Sequence, residues 1–216
     1  ALLRTSFSTI VRESNDFATV LMDSNGDSLA ENTAGIPSFV GMLPDALKNF
    51  IKRIPIEQWN PGDCIITNDP WIGSGHLPDI TMAAPIFHKG KLVGFSGSIA
   101  HLPDIGGAGW SSDGSELFEE GIRLMPMKFL KEGEPNQDVF DFITANVRVP
   151  SQVIGDIYAQ VTAQQVCAER LQEFLGDAQL DDLTGLSGAL LERADIAMRK
   201  AIEEVPDGTY RSMLDE

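Results

Sequence analysis

Apolar residues in the first third of the chain follow the spacings of two helices and a strand hairpin. Residues 2–13 and 39–54 repeat apolar side chains at helical spacing, and we expect Pro44 to lie in the first turn of the second helix. Residues 17–22 form a β-branched and apolar run, followed by an Asn-Gly turn and a returning strand at residues 28–31. This order predicts a strand hairpin between two helices.

The middle of the chain alternates short apolar runs with glycine-rich segments, which is typical of an antiparallel sheet. Residues 63–67 predict a short buried strand. Residues 80–87 and 92–100 predict a second hairpin around the turn His88-Lys-Gly-Lys. The segment at residues 102–115 is too long for a simple connection, and loops of this length are usually functional or disordered.

The last third of the chain has helical spacing throughout. Ser151 is expected to cap a helix that ends near Gly176, and residues 180–205 predict a second helix. The short link between them favours an antiparallel pair. We therefore expect an α+β fold, in which an antiparallel sheet with hairpins and packed helices is followed by a C-terminal antiparallel helix pair. The expected domains are residues 1–148 and the helical hairpin 149–216.

Charge and cysteine content exclude several classes of partner. The chain has 216 residues, and its 16 Lys and Arg against 32 Asp and Glu give a net charge of −16. Nucleic acids and anionic membrane surfaces are therefore not expected as partners. Only two cysteines are present, Cys64 and Cys167, which indicates a reducing cytoplasm. Both ends of the sequence look cut, so we expect a segment of a longer chain.

Two of the three histidines stand in near-identical strings, His76-Leu-Pro-Asp79 and His101-Leu-Pro-Asp104. These strings lie at the two ends of the predicted 80–100 hairpin, so pairing of its strands brings His76, Asp79 and His101 together. Imidazole and carboxylate are common ligands of catalytic divalent metals. The sequence thus suggests a metal site, while hydrogen-bonded structural histidines and a turn-capping aspartate are the alternative interpretation.

Other polar residues carry weaker signals. Asp16 precedes a predicted strand, where a loop role is the simpler interpretation. Asp69, in the turn-like string Asn68-Asp-Pro, could orient a metal ligand from outside the first coordination shell. Three glutamates follow the glycine-rich loop and favour a solvated helix face over a general base: Glu116, Glu119 and Glu120. The sequence contains no Gly-x-x-x-x-Gly-Lys-Ser/Thr phosphate loop and no Gly-x-Ser-x-Gly elbow, and both cysteines fit packing positions.

Six strings, in order along the chain, resemble the hydantoinase B family: RESNDFATVLMD (residues 12–23), TNDPWIGSGHLPDI (67–80), AHLPDIGG (100–107), EEGIR (119–123), VPSQVIGD (149–156) and VPDGTY (205–210). This family includes β-type subunits of ATP-dependent N-methylhydantoinases and caprolactamases, the matching half of 5-oxoprolinases, and the α subunits of acetone carboxylases. Its members are much longer, so the resemblance implies the N-terminal portion of a larger catalytic subunit.

The resemblance implies a divalent metal ion (Zn, Mn or Fe) bound by His76, Asp79, His101 and Asp16. Three residues are expected to support these ligands or catalysis without contacting the metal: Asn68, Asp69 and Asp104. Backbone N–H groups of the glycine-rich loop, at Gly106 and Gly107, are candidates for an oxyanion-binding or substrate loop. No residue of this chain is expected to bind an organic cofactor.

The implied activity is shared between two subunits of a hetero-oligomer. A hydantoinase A type partner binds ATP and phosphorylates the substrate, and this chain completes the ring opening of a hydantoin, 5-oxoproline or lactam. Two alternatives remain open, namely the α subunit of an ATP-dependent ketone carboxylase and a non-catalytic subunit with a structural metal. The intact His76-Leu-Pro-Asp79 favours hydrolysis, whereas residues 35–39 lack histidines that relatives often carry there.

Overall fold

Seven antiparallel strands form one sheet with helices on its faces, as a computed structural model of residues 1–109 and 114–213 describes. The expected α+β class is thereby confirmed. The strands are β1 Phe17–Asp23, β2 Ser28–Glu31, β3 Cys64–Thr67, β4 Asp79–His88, β5 Lys91–His101, β6 Met127–Lys131 and β7 Glu134–Pro135. The helices are α1 Leu2–Thr5, α2 Thr9–Ser14, α3 Pro37–Arg53, α4 Leu117–Glu120, α5 Gln137–Asn146, α6 Pro150–Asp177 and α7 Thr184–Glu203.

The sheet has the strand order β2-β1-β5-β4-β3-β6-β7, which places the β4–β5 hairpin at its centre. The hairpin ladder runs from His88 opposite Lys91 at the turn to Asp79 opposite His101 at the other end. The first hairpin pairs β1 with β2, and β1 then pairs with β5 along its whole length. The long-range β1–β5 pairing brings the residue before Phe17 to the same end of the sheet as Asp79.

Two apolar cores lie on opposite faces of the sheet, because alternate strand residues point to opposite sides. Helix α3 covers one face, where its apolar residues form a buried cluster with strand residues: Leu43, Leu47, Phe50, Val20, Ile65, Phe95 and Ile99. Helices α5 and α6 cover the other face, where helix and strand residues form a second buried cluster: Ile143, Val153, Ile157, Ile66, Met82 and Phe129. Full burial of such a side chain contributes about 1.5–3 kcal/mol. The central hairpin is thus held from both sides.

The N-terminal segment forms two short helices, so the prediction of one helix over residues 2–13 was wrong. The Ser8 side chain accepts a 3.4 Å hydrogen bond from Val11 N and caps α2. The buried Asp156 carboxylate, from α6, accepts hydrogen bonds from Phe7 N at 2.7 Å and Ser8 N at 3.2 Å. Ser8 and Asp156 thus provide acceptors for N–H groups that would otherwise bond within a continuous helix. Asp156 lies far from this segment in the sequence, so local spacing did not predict the break.

Two helix starts also differ from expectation. Helix α3 begins at Pro37, so Pro44 lies inside the helix, where it donates no hydrogen bond, and not in the first turn. Helix α6 begins at Pro150, and its N-cap residue Val149 makes no side-chain capping hydrogen bond. The predicted capping role of Ser151 was therefore wrong, because proline already sets the backbone of the first turn.

The chain divides into two compact units, Ala1–Leu183 and Thr184–Glu216. Helix α6 belongs to the first unit and packs on β4 and β5, while α7 belongs to the second. The domain boundary at residue 148 and the antiparallel pairing of the last two helices stay predictions. Within residues 1–109 and 114–213, no helix combines the length and apolar character needed to cross a bilayer.

Candidate metal centre

The central hairpin brings the two His-Leu-Pro-Asp strings to one end of the sheet. Asp79 begins β4 and His101 ends β5, and the two residues lie directly opposite each other. At the other end, Lys89 (φ +50°) and Gly90 (φ +78°) form the tight turn. Two successive residues with positive φ are typical of a type I′ hairpin turn, which matches the twist of the strands. This turn and a one-residue register shift between Ile86 and Phe87 together set the register on which the site depends.

Three side chains converge at this end of the hairpin. The Asp79 Oδ1 atom lies 2.9 Å from His76 Nε2 and 2.9 Å from His101 Nδ1. Potential ligand atoms of the three residues all lie within 4.8 Å of one another. The side chains of Asp79 and His101 are 1% and 5% exposed, whereas that of His76 is 48% exposed. The cluster is therefore anchored in the protein interior and accessible on the His76 side.

Asp16 lies beside this cluster, at a greater distance. Its Oδ2 atom is 3.9 Å from His101 Nδ1, and its backbone carbonyl accepts a 3.1 Å hydrogen bond from His101 N. The preceding Asn15 ends α2 in the left-handed conformation (φ +54°), which turns the chain towards β5. Burial raises the pKa of Asp16, and the Asp79 carboxylate adds to this effect, while the neighbouring histidines oppose it. Asp16 is thus placed to join the three closer residues.

Asp79 is the electrostatic centre of the cluster. Burial alone would raise its pKa, but hydrogen bonds from His101, His76 and Ser74 outweigh burial and lower the pKa to about 2. The Ser74 hydroxyl donates to Asp79 Oδ2 at 2.7 Å, so both carboxylate oxygens have partners. The hydrogen bond to Asp79 also raises the pKa of His76, which partial burial opposes. The carboxylate therefore stays ionised in an interior position.

The donor set fits a divalent cation. Two imidazoles and a carboxylate are the ligands that zinc and related metals use in catalytic sites. Metal–ligand bonds to such atoms are about 2.0–2.2 Å long, so neighbouring ligands of one ion lie about 3 Å apart. The 2.9 Å separations in the cluster agree with that spacing. The metal-ligand roles of His76, Asp79, His101 and Asp16 stay predictions, which this geometry supports.

Asn68 and Asp69 hold the loop between β3 and β4 and make their hydrogen bonds outside the cluster. The buried Asn68 amide donates to Leu77 O at 2.8 Å and to Ile122 O at 2.9 Å. One Asp69 oxygen accepts from Trp71 N at 2.9 Å, and the other forms an ion pair with Arg123. Both residues therefore fix the loop that carries His76, and their predicted supporting role remains untested.

Asp104 anchors the glycine-rich loop to the start of α6. Its Oδ1 atom accepts from Gly106 N at 2.9 Å and from Arg148 Nη1 at 3.0 Å. Burial raises the pKa of Asp104, but backbone hydrogen bonds from Gly106, Arg148 and Val149 outweigh it and lower the pKa. The Arg148 guanidinium also donates to the carbonyl oxygens of Gly106 and Gly107. The predicted oxyanion role of both glycines stays a prediction, and the Gly106 N–H is directed at Asp104.

A cleft of about 460 Å³ lies against the cluster. Its walls are formed by both histidines, the chain after β5 and the end of α4: His76, Pro78, His101, Leu102, Pro103, Asp104, Ile105, Gly106, Gly109 and Glu120. The sequence favoured a solvated helix face for Glu120, and the residue is exposed, at the same cleft as the histidines. Its place at the cleft is signalled in the sequence only by the string EEGIR, which follows a glycine-rich loop. Four residues of that loop, 110–113, lie outside the described ranges.

The two cysteines occupy packing positions, in agreement with the sequence-based expectation. Cys64 is buried in the α6 side of the sheet, and its thiol donates to Gln164 Oε1 at 3.0 Å. Burial raises the pKa of both the Cys64 and Cys167 thiols. A raised thiol pKa disfavours the nucleophilic thiolate, so neither residue contributes a reactive group.

Fold and cluster together define an α+β protein with a candidate mononuclear metal centre beside a cleft. Residues 1–215 match the family hydantoinase B/oxoprolinase. The chain therefore belongs to that family, as the resemblance of its motifs indicated.

Two curated relatives show the extent of the similarity. The chain is 35% identical over 215 residues to the putative D-/L-hydantoinase B-type subunit of Pseudomonas sp. (strain NS671), covering 97% of this chain and 36% of the relative. It is 32% identical over 212 residues to the caprolactamase β subunit of Pseudomonas jessenii, again covering 97% and 36%. The chain thus spans about a third of the length of these relatives.

Solved structures share the fold. The ATP-dependent caprolactamase from Pseudomonas jessenii matches with a TM-score of 0.85 and 32% identity over 96% of this chain and 36% of that chain. A nucleotide-free acetone carboxylase structure matches with a TM-score of 0.74 and 24% identity, covering 82% and 24% of the two chains. At this identity the second match establishes the fold alone.

Proposed function

We propose that the chain is the metal-binding portion of the catalytic subunit of an ATP-dependent cyclic-amide hydrolase, which opens a hydantoin, 5-oxoproline or lactam ring. The observation that carries the proposal is the convergence of His76, Asp79 and His101 beside a cleft, in a member of the hydantoinase B/oxoprolinase family. The similar hydantoinase and caprolactamase subunits support the same reaction class.

An unstrained amide is a poor electrophile, and a metal ion held by the cluster would make its carbonyl carbon easier to attack. His76, Asp79 and His101 would hold a divalent ion, with Asp16 as a further ligand. Such an ion polarises a carbonyl and lowers the pKa of water, which are the two requirements of amide hydrolysis near neutral pH. The buried Asp79 fixes both imidazoles through its Oδ1 atom, so the donor atoms are already oriented.

The cleft suits a small, flat ring. Its volume of about 460 Å³ falls in the range of small-molecule sites. Apolar side chains of Leu102, Pro103 and Ile105 form one part of its wall, while the histidines and Glu120 form the polar part. An amide ring with one apolar edge and one polar edge would match these two walls.

ATP is proposed to bind on a partner of the hydantoinase A type. The sequence contains no phosphate loop of the Gly-x-x-x-x-Gly-Lys-Ser/Thr kind. The similar caprolactamase structure is described as ATP-dependent, and the curated relative from the same organism is a caprolactamase β subunit. A hetero-oligomer follows, in which the partner phosphorylates the substrate and this chain receives it. The two free cysteines and the use of ATP favour a cytoplasmic location.

A ketone carboxylase is the second candidate. The chain is 28% identical over 200 residues to the acetophenone carboxylase delta subunit of Aromatoleum aromaticum, covering 91% of this chain. In that case the same metal cluster would serve carboxylation of an activated ketone. Bicarbonate-dependent ATP turnover with a ketone, together with no turnover of cyclic amides, would favour this candidate.

The proposal is tested by metal analysis and by the activity of the chain with its partner. We expect close to one equivalent of Zn, Mn or Fe per chain, its loss in His76→Ala, and ATP-dependent opening of at least one of hydantoin, 5-oxoproline and ε-caprolactam. Absence of bound metal from the wild-type protein would contradict the proposal. A sharp fall in melting temperature on metal removal, with no turnover of any of these compounds, would indicate a structural metal instead.

A further inference from the structure

Glu120 is the carboxylate that the proposed metal cluster leaves unused in the same cleft. It ends α4 and contributes to the cleft wall together with His76 and His101. Its Oε2 atom lies 3.4 Å from Leu77 N, in the residue that follows His76. Among the residues that the structure describes, no Lys or Arg forms an ion pair with Glu120. Apart from the hydrogen bond that Oε2 accepts from Leu77 N, the exposed carboxylate keeps the capacity to accept a proton or a hydrogen bond.

The backbone at Glu120 is fixed by a close crossing with the glycine-rich loop. Ala108 N donates to Glu119 O at 2.8 Å, and Ile122 N donates to Ile105 O at 2.8 Å. A Cβ atom on Gly107 would lie 2.4 Å from the Glu120 carbonyl group, a distance that real Cβ atoms do not reach. The crossing therefore requires a glycine opposite Glu120.

A second glycine follows Glu120 directly and serves the same crossing. Gly121 has φ +144°, and a Cβ atom there would lie 2.3 Å from Ile105 O. The conformation favours glycine, which has no Cβ to clash. Since glycine is needed both opposite Glu120 and after it, the backbone position of Glu120 is built into the fold.

The other side of the Glu120 segment is tied to the loop that carries His76. The Asn68 amide bridges the two segments, because it donates to Leu77 O at 2.8 Å and to Ile122 O at 2.9 Å. Asn68 Oδ1 also accepts a 2.6 Å hydrogen bond from Leu124 N. Asn68 is buried, so these hydrogen bonds are shielded from water. The backbone segments that carry Glu120 and His76 are therefore tied to each other through Asn68.

We propose that Glu120 is the general base that moves the proton during ring opening, an inference that rests on the proposed function. Phosphorylation of the amide oxygen converts the ring C–N bond of the substrate into a C=N bond. As the oxygen of a water molecule bonds to this carbon, the π-electron pair moves to the ring nitrogen. The Glu120 carboxylate takes the proton released by the water and passes it to that nitrogen. This addition forms a C–O and an N–H bond and breaks one O–H bond and the C=N π bond. The ring opens when the resulting tetrahedral adduct breaks its C–N bond: the hydroxyl proton moves to the leaving nitrogen and the carbonyl bond forms. The acyl phosphate that remains is hydrolysed by a second water to a carboxylate and phosphate.

The test compares Glu120→Gln with Glu119→Gln in the metal-loaded enzyme with its ATP-dependent partner. Both changes remove one carboxylate charge from neighbouring residues. Glu119 is the matched control because its side chain accepts from Ser115 N at 2.8 Å, within the loop. Activity is measured with hydantoin, 5-oxoproline and ε-caprolactam, alongside metal content and melting temperature. Glu120→Asp, which keeps the carboxylate but shortens the side chain, provides a second variant.

We expect Glu120→Gln to lower kcat by about 10²–10⁴-fold, the usual contribution of a general base, with wild-type metal content and melting temperature. Glu120→Asp should recover part of the rate. Wild-type kcat in Glu120→Gln would overturn the inference and leave the proposed function intact. Loss of metal from Glu120→Gln would also overturn it, because Glu120 would then be a ligand. No turnover by the wild-type enzyme would overturn both.

Discussion

Asp79 and His101 face each other across the last rung of the β4–β5 ladder, and their side chains meet at 2.9 Å. Both side chains are buried, and the strands that carry them lie at the centre of the sheet with an apolar core on either face. Ligands held in this way need little ordering when an ion binds. The pair is therefore the rigid half of the candidate metal centre, and His76 supplies the accessible half.

Replacement of Asp79 should abolish tight metal binding. In Asp79→Asn the carboxylate charge is lost, and the neutral amide oxygen that replaces Oδ1 is a weaker ligand and a weaker acceptor for both imidazoles. We expect metal affinity to fall by more than the roughly 10–100-fold typical of residues that only orient a ligand. Calorimetric titration of chelator-treated protein with Zn²⁺ and Mn²⁺ measures the change. Asp45→Asn, at an exposed carboxylate on α3, should bind like wild type, and equal affinities in all three proteins would contradict the assignment.

Ser74 should strengthen metal binding at the same site by orienting the Asp79 carboxylate. Its hydroxyl donates to Asp79 Oδ2 at 2.7 Å, which leaves Oδ1 directed at the histidines. Ser74→Ala removes this orientation without changing a charge, so we expect about 10–100-fold weaker metal binding. The same titration checks this value. An affinity unchanged from wild type would show that the strand backbone alone orients Asp79.

Metal uptake should depend steeply on pH because His76 holds its proton more strongly than a free imidazole. The pKa of His76 is raised, first by its hydrogen bond to Asp79. A raised histidine pKa favours the protonated form, so the ion competes with this proton up to a pH above the usual value of about 6.5. Affinity should increase as pH rises through and beyond that value. Proton release, measured calorimetrically in buffers of different ionisation enthalpy, should be lower in His76→Gln, and identical release would contradict the assignment.

The meeting of the two His-Leu-Pro-Asp strings could be predicted because it depends on local pairing. The turn His88-Lys-Gly-Lys brings the two ends of the hairpin together, and a one-residue register shift between Ile86 and Phe87 then places Asp79 opposite His101. The positions of β1 to β5, of α3 and of α6 also followed from apolar spacing, since the pattern is local, whereas β6 and β7 were not predicted. The presence of a metal ion and the identity of its ligands remain predictions, which are based on the chemistry of these side chains.

The features that could not be predicted depend on contacts between distant parts of the chain. The break between α1 and α2 is satisfied by Asp156, which lies far along the sequence. Glu120 reaches the cleft only because the chain crosses itself at Gly107, a contact that no periodicity encodes. The pairing of β1 with β5 likewise joins strands that are far apart in the sequence, so local spacing does not predict it. Hydrogen bonds and crossings between distant parts of the chain produce no local pattern in the sequence, so they could not be predicted from it.

Asp156 should stabilise the N-terminal segment that leads to Asp16. Its buried Oδ1 atom accepts both Phe7 N and Ser8 N, so Asp156→Ala leaves two backbone N–H groups without an acceptor. Each such loss costs about 1–3 kcal/mol of folding free energy. Urea denaturation should show this decrease, with Asp141→Ala, at an exposed position on α5, unchanged. A stability equal to wild type would mean that water replaces the carboxylate.

Arg148 should hold the glycine-rich wall of the cleft in place without affecting the metal. Its guanidinium contacts Asp104 Oδ1 at 3.0 Å, Gly106 O at 3.3 Å and the Gly107 carbonyl. Both glycines have positive φ, and glycine-rich backbone loses more entropy on ordering than other residues do, so external ties are needed. In Arg148→Gln we expect faster hydrogen exchange of the Gly106 amide and a higher KM for the cyclic amide.

Metal content and kcat report whether this effect is confined to the loop. Both should stay close to wild type in Arg148→Gln, because His76, Asp79 and His101 are fixed by the hairpin and by Ser74. Arg170→Gln, which removes an exposed ion pair with Glu173 on α6, is the matched control and should leave exchange at Gly106 unchanged. Equal exchange rates in the two variants would show that the Gly106–Asp104 hydrogen bond orders the loop without the arginine.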